Sequence, residues 1–206
     1  KITFIKDCLN NIKFKSVTHL VFTSENGVRS FFNAYKQMGD IRSLSSKIIC
    51  SIGPHTTNTL AEFGIKPEII SELNTSEALF SKLKRQINSA HHVLIPTSSE
   101  AGNEWEILSS TKAKVEQIIS YNNDEPNDIL QKLEWVSETD KLVFMNSAAV
   151  NRFAKHYVRL NEHTIFSIGP KTSAALKANK VIQIFESKVP SIEDMISTIT
   201  KKLIKK

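Results

Sequence analysis

Cysteine is nearly absent from this 206-residue chain: Cys8 and Cys50 lie far apart and lack metal-ligand spacing. Two distant thiols supply neither a disulfide framework nor a zinc site, and read as buried thiols of a reducing compartment. Arginine is scarce, five residues against 22 lysines. No apolar run approaches the roughly 18 residues of a membrane helix. No basic start followed by an apolar stretch marks a signal peptide. A Ser–His–Asp order, paired carboxylates and a His/Cys metal pattern are all missing, which leaves no signature of hydrolytic or metal chemistry.

Hydrophobic residues make up 40% of the chain and charged residues 23%, which suits one large domain or two small ones and excludes a disordered or fibrous chain. The net charge of +6 suits an anionic partner. Aromatics are not interleaved with the basic residues, so a strand-stacking nucleic-acid surface is not expected. Part of the excess sits at Lys201, Lys202, Lys205 and Lys206, and reads as a solvated helix end.

The most informative feature is a duplication. Phe22-Thr-Ser-Glu-Asn-Gly-Val-Arg-Ser-Phe-Phe-Asn-Ala-Tyr35 returns 122 residues later as Phe144-Met-Asn-Ser-Ala-Ala-Val-Asn-Arg-Phe-Ala-Lys-His-Tyr157. Ser51-Ile-Gly-Pro-His-Thr56 returns at an offset of 116 as Ser167-Ile-Gly-Pro-Lys-Thr172, and Thr75 to Leu79 answers Ser191 to Met195. Two segments in one order, six residues closer the second time, imply two homologous lobes.

Each lobe alternates strands and helices. In the first, residues 19–22 form a short apolar strand. Val28, Phe31, Phe32 and Tyr35 then mark one helix face, with Gly39 placed to cap it. Strands follow at 47–52, 67–70, 92–96 and 114–120. A helix over 56–63 closes at Gly64, and Asn74 with Glu77 suggests a capping box for the next helix. The second lobe shows three strands, at 141–145, 164–168 and 181–185. Residues 2–5 read as a further strand. The pattern predicts doubly wound, parallel α/β lobes. The inserted lobe is expected over residues 6–122. Residues 1–5 and 123–206 would form a discontinuous second lobe whose opening βαβ unit lies upstream.

These residues resemble the uroporphyrinogen-III synthase family. Phe22 to Val28 matches its Phe-Thr-Ser-x-Asn-Gly-Val segment, Ile52 to Thr56 and Ile168 to Thr172 its Ile-Gly-x-x-Thr turn, and Tyr121 the tyrosine after the strand that ends the inserted lobe. The resemblance runs from about residue 15 to 203. It implies two flavodoxin-like lobes joined by two antiparallel connecting strands, residues 2–5 and about 122–127, with the substrate in the cleft between them. It also implies a cytoplasmic, monomeric, cofactor-free lyase of haem biosynthesis. That enzyme closes hydroxymethylbilane to uroporphyrinogen III with loss of water and inversion of ring D. Tyr121 is the expected proton donor.

Hydroxymethylbilane carries eight carboxylates, and helix N-termini receive anions on unpaired N–H groups. The turns holding Thr23, Ser24 and Asn26, then Gly53 and Thr56, then Asn146 and Ser147, then Gly169, Lys171 and Thr172, are therefore the expected substrate contacts. All lie where strands end and helices begin, the ligand edge of a doubly wound sheet. Read structurally, Ser24, Thr56 and Thr172 are ordinary N-caps, His55 is a solvated turn residue, and His91-His92 merely opens a strand. Two departures from the family stand out. Thr97-Ser-Ser-Glu-Ala-Gly102 replaces an Arg-Gly-rich turn, and Met145-Asn-Ser-Ala148 replaces Thr-Ser-Pro-Ser. A rival reading is a non-catalytic two-lobed binding protein for a small polyanion, since fold alone does not fix function. A receiver-like domain would need an acidic pocket that the sequence does not show.

Overall fold

The computed structural model describes residues 1–71 and 73–204; Glu72 and the terminal Lys205 and Lys206 of the basic cluster lie outside them. The chain divides into two compact units, residues 1–124 and 125–206.

In unit 1, β1 (Ile2–Phe4), β2 (His19–Phe22), β3 (Ile48–Ser51), β4 (Ile69–Ile70), β5 (His92–Ser98) and β6 (Lys114–Asn123) form one sheet in the order β1-β6-β5-β2-β3-β4. β1 runs antiparallel to the end of β6, with Phe4 opposite Tyr121, and the other pairs are parallel. Numbered from β2, the parallel strands read 3-2-1-4-5. Entered at β5, the same sheet reads 2-1-3-4-5, the order of flavodoxin-like folds.

Burial on both faces explains the apolar strands. Leu20 and Phe22 of β2 and Leu94 of β5 pack into one cluster with α1 (Glu25–Tyr35) and Leu60 of α2 (Pro54–Ala61). Val21, Val93 and Ile95 point the other way, to α3 (Ser76–Lys84) and Leu108 of a 3-10 stretch, Glu104–Thr111. Such strands cannot alternate apolar with polar residues. The stripe of Val28, Phe31, Phe32 and Tyr35 is buried as its spacing requires. Each of these side chains contributes roughly 1.5–3 kcal/mol relative to exposure.

Several boundaries move. α2 begins at Pro54, because a helix's first position loses nothing to a missing N–H. The cap of α3 is Thr75, whose Oγ1 accepts the Ala78 N–H at 3.2 Å, and Asn74 takes a left-handed φ of 52°. The capping box read on Asn74 is therefore not formed. Gly64 does adopt the left-handed turn (φ 72°) after α2, whereas Gly39 is not left-handed and α1 ends at Tyr35 with Lys36 as its C-cap.

In unit 2, α4 (Ile129–Leu133), β7 (Lys141–Phe144), α5 (Ser147–His156), β8 (Thr164–Ser167), α6 (Pro170–Ala178), β9 (Ile184–Glu186) and α7 (Ile192–Ile204) follow in turn. The strands are parallel in the order β7-β8-β9. Phe144, Val150, Tyr157, Ile165 and Leu176 form its core. No helix among the described residues is long and apolar enough to cross a membrane.

The duplication reaches individual hydrogen bonds. The Ile52 N–H donates to Phe22 O at 3.1 Å, and the Ile168 N–H to Phe144 O at 3.0 Å. The Ser71 N–H donates to Ser51 O, and the Ser187 N–H to Ser167 O, both at 3.0 Å. Hydroxyl pairs repeat too, Ser51 with Thr57 (2.7 Å) and Ser167 with Ser173 (2.5 Å). Where side chains differ, the bonding differs. Ser187 Oγ donates to Met195 Sδ, but the matching Leu79 offers no acceptor, and the buried Ser71 hydroxyl is left unpartnered.

Candidate functional site

The connections out of β2 and β5 leave in opposite directions, so the crevice at their carboxyl ends is the sheet's switch point. Two side chains meet there. Ser24, just beyond β2, is the N-cap of α1 and accepts the Gly27 N–H at 3.0 Å. Its hydroxyl also lies 3.0 Å from the phenol oxygen of Tyr121. Gly27 allows the close approach, since a Cβ there would stand 2.9 Å from the Pro96 carbonyl of β5.

Tyr121 reaches this position through an irregular register. β6 pairs residue by residue with β5 up to Ile119 opposite Thr97, and then Ser98 faces Tyr121 with Ser120 passed over. A bulge of this kind breaks the alternation of faces. Consecutive residues Ser120 and Tyr121 are both buried, and both meet α1: Ser120 Oγ lies 2.8 Å from Ser30 Oγ, and the Tyr121 phenol touches Ser24. A carbonyl stands beside each hydroxyl, Gly27 O at 3.1 Å from Ser30 Oγ and Thr97 O at 3.3 Å from Ser120 Oγ. One serine donates to the other, which donates to its own carbonyl, and this buried hydroxyl pair ties α1 to β5 and β6. Tyr121 thus sits inside β6 rather than after it, and Asn122 and Asn123, expected in the second connector, continue β6 opposite β1.

A cavity of about 180 Å³ opens at this point, lined among others by Thr23, Ser24, Thr97, Trp105, Gln117 and Tyr121. The structure therefore brings Thr23, Ser24 and Tyr121, three residues singled out in the sequence, to one cavity. Asn26, at the second helical position, is half-buried and does not line the cavity. Thr97, Trp105 and Gln117 are among the lining residues that the sequence reading did not propose as contacts. Thr97 follows the apolar run of β5 and its polarity could have signalled it, whereas Trp105 and Gln117 carry no local signal. The Trp105 Nε1–H is buried without a partner. Glu100 is exposed nearby and accepts from Asn123 Nδ2 at 3.2 Å.

At the neighbouring helix start, Gly53 is the N-cap of α2 without a side-chain cap, Pro54 follows, and His55 is exposed. Thr56 falls at the third helical position and is buried, so the cap role read for it is corrected to Gly53. Gly53 has a steric reason: a Cβ there would meet the Asn74 carboxamide, with Oδ1 at 2.3 Å. In unit 2 the same substitution of roles holds, with Gly169 as N-cap of α6 and Thr172 buried at the third position. Asn146 caps α5 through the Ala149 N–H at 2.8 Å, and Ser147 Oγ donates to Lys171 O at 3.0 Å. Those two helix starts are therefore adjacent, with the Lys171 side chain exposed.

The displaced titrations lie elsewhere. Burial, helped by the neighbouring His91, pulls His19 down to about 4, and burial pushes the Cys50 thiol up to about 12. Glu116 is held below the usual carboxylate range by Lys114 and then His92, which together outweigh its partial burial. His92, at the amino end of β5, bonds Glu116 at 2.7 Å and Ser16 at 3.0 Å, a structural clasp on the edge opposite the cavity. Among the described residues no group of three or more His, Cys, Asp or Glu could hold a metal ion.

Comparison with known proteins adds a second line of argument. A curated relative, a putative uroporphyrinogen-III synthase from Methanocaldococcus jannaschii, is 25% identical over 97% of this chain and 84% of its own length. The crystal structure of uroporphyrinogen-III synthetase from Helicobacter pylori superposes with a TM-score of 0.75 at 19% identity, covering 98% of this chain and 90% of that one. A mutant uroporphyrinogen III synthase from Thermus thermophilus gives 0.67 at 18% identity, covering 100% and 87%. These two likenesses establish the fold. The family model described as Uroporphyrinogen-III synthase HemD matches residues 2–197, and the chain belongs to the uroporphyrinogen-III synthase family.

Proposed function

We propose that this chain closes hydroxymethylbilane to uroporphyrinogen III, with loss of water and inversion of ring D, as a lyase in haem biosynthesis. Family membership supports a tetrapyrrole substrate. The observation that carries the finer reading is the Tyr121 phenol, held against the start of α1 in the switch-point cavity. Its O–H gives its proton to the departing hydroxyl, which leaves as water. Ring D attacks the carbon left behind through the ring carbon that already carries its link to ring C, giving a spiro intermediate. That link breaks, the freed bridge carbon bonds to the other α carbon of ring D, and the proton lost there returns to the phenolate as the macrocycle closes.

Carboxylates of the substrate are received by the free N–H groups at the starts of α1, α2, α5 and α6, where the helix dipole is positive. Thr23, Ser24, Gly53 and Thr56 in unit 1, and Asn146, Ser147, Gly169, Lys171 and Thr172 in unit 2, frame those starts. Folding a flexible chain so that ring D meets its target lowers the entropic part of the barrier and needs no cofactor. On the family's pattern the enzyme is monomeric and cytoplasmic.

The test couples full-length protein to enzymatically generated hydroxymethylbilane and separates the isomers by chromatography. Uroporphyrinogen III is expected. Only isomer I, the spontaneous product, would reject the assignment. Tyr121→Phe is expected to lower kcat by at least about tenfold, and unchanged turnover removes the acid role.

A further inference from the structure

The geometry points to Ser24 as the positioning residue that donates a hydrogen bond to the Tyr121 phenol oxygen and so frees the phenol proton to face the cavity. This rests on the reading of Tyr121 as the acid. Either oxygen of the 3.0 Å pair could donate on geometry alone. Two facts choose the direction. The Ser24 oxygen already accepts the Gly27 N–H at 3.0 Å, so one lone pair is taken while its own proton remains to be placed. It also stands at the first turn of an eleven-residue helix, where the positive dipole end disfavours further acceptance and favours an outward O–H.

The consequence is chemical. With Ser24 donating, the Tyr121 O–H points away from α1 and can be transferred. Once the proton has gone to the leaving hydroxyl, the phenolate keeps a charge-assisted hydrogen bond and the helix field behind it. The opposite direction would spend the phenol proton on Ser24. The bulge at Ser120 makes the contact possible, and the Ser30–Ser120 bond of 2.8 Å fixes the backbone one residue away. In the second repeat the matching cap is Asn146, which bonds Ala149 N–H. The Ser–Tyr pair therefore belongs to the first repeat and is not a general feature of the helix start.

Ser24→Gly is the suitable variant, because glycine caps helices nearly as well as serine but carries no hydroxyl. It is expected to lower kcat about tenfold, the size of a lost hydrogen bond to a charged group, with KM within about twofold. Ser24→Thr restores the rate. In the Tyr121→Phe background, Ser24→Gly is expected to have no further effect. An activity-independent readout accompanies the kinetics: with ¹³Cζ-labelled tyrosine, the Tyr121 resonance, assigned by its loss in Tyr121→Phe, shifts in Ser24→Gly and returns in Ser24→Thr. An unmoved resonance, or an equal loss of rate in both backgrounds, overturns the proposal. Full turnover by Tyr121→Phe overturns the acid reading and the catalytic role drawn for Ser24 from it, while the resonance still decides the contact.

Discussion

Gly27→Ala tests whether the start of α1 is held as tightly against β5 as the geometry says. Gly27 is the third residue of the helix and has no left-handed φ, so helix propensity alone favours alanine by about 1 kcal/mol. Space forbids it. The added Cβ would stand 2.9 Å from the Pro96 carbonyl oxygen and 3.2 Å from Ser24 Oγ. The carbonyl is main chain of β5, held there by pairing with β6 opposite Ile118, and Ser24 is the cap of the helix itself. The helix must slide. Overpacking of this kind costs about 1–3 kcal/mol, and with backbone as the obstacle the upper part of that range applies. Less the propensity gain, the expected net loss is about 1–2 kcal/mol. The second repeat supplies the control. The matching residue, Ala149, starts a helix beside β7, and β7 has only β8 as a neighbour among the described residues. Ala149→Gly is expected to lose about 1 kcal/mol through propensity, with a smaller further loss from its methyl, which packs partly buried against the core. Urea unfolding with unchanged m-values measures both. A Gly27→Ala protein more stable than the parent would refute the packing argument. A stable variant would also be expected to keep the Ser24–Tyr121 contact and full turnover.

Two further outcomes follow from the same structure. Lys180 holds a left-handed φ of 63° at the position that Gly64 occupies in the first repeat, and in both the next N–H bonds back six-to-one, Val181 to Leu176 and Ile65 to Leu60. Lys180→Gly is therefore expected to raise stability by about 0.5–1 kcal/mol, read as a higher urea midpoint, and a loss would contradict the strain assigned there. His19 is buried at the start of β2 and titrates near 4 rather than 6.5. Between those values the unfolded chain takes up a proton that the folded one refuses. The stability is thus complete above pH 6.5 and lost as pH falls towards 4, by on the order of 3 kcal/mol. His19→Asn should flatten the slope of stability against pH in that window, and an unchanged slope would assign the acid sensitivity to other groups.

How much of this was legible depended on what each feature leaves in the chain. Strands buried on both faces announce themselves as apolar runs, and β2 was bounded correctly at 19 and 22. The Val28–Tyr35 stripe and the paired Gly-Pro turns fixed the helices and the duplication. Caps were harder. Asn74 and Thr75 are both good capping residues, and only the left-handed turn at Asn74 decides between them. Thr56 and Thr172 looked like caps because threonine often is one, yet each follows a Gly-Pro pair whose glycine already holds the cap position. The bulge at Ser120 left no trace at all. Nothing in Ile118-Ile-Ser-Tyr121 says that two successive side chains will meet the same helix, and that fact places the candidate acid.

The two repeats show why the site itself is quieter than the fold. Both keep the backbone bonds that set a helix start beside the preceding strand, Ile52 to Phe22 and Ile168 to Phe144. Side chains at those starts are free to differ: Ser24 against Asn146, His55 against Lys171, Gly27 against Ala149. An anion received on main-chain N–H groups asks only that the helix begin in the right place. Many residues satisfy that demand, so the pattern at such a site is loose wherever the backbone alone binds. It tightens where a side chain must do something specific. On the proposed reading that place is Ser24 and Tyr121, where a strand irregularity, a cap and a glycine forced by a 2.9 Å approach converge on one phenol. If the phenol were there only for packing, a hydrophobic ring would fill the same volume without leaving an O–H to be satisfied beside a helix start.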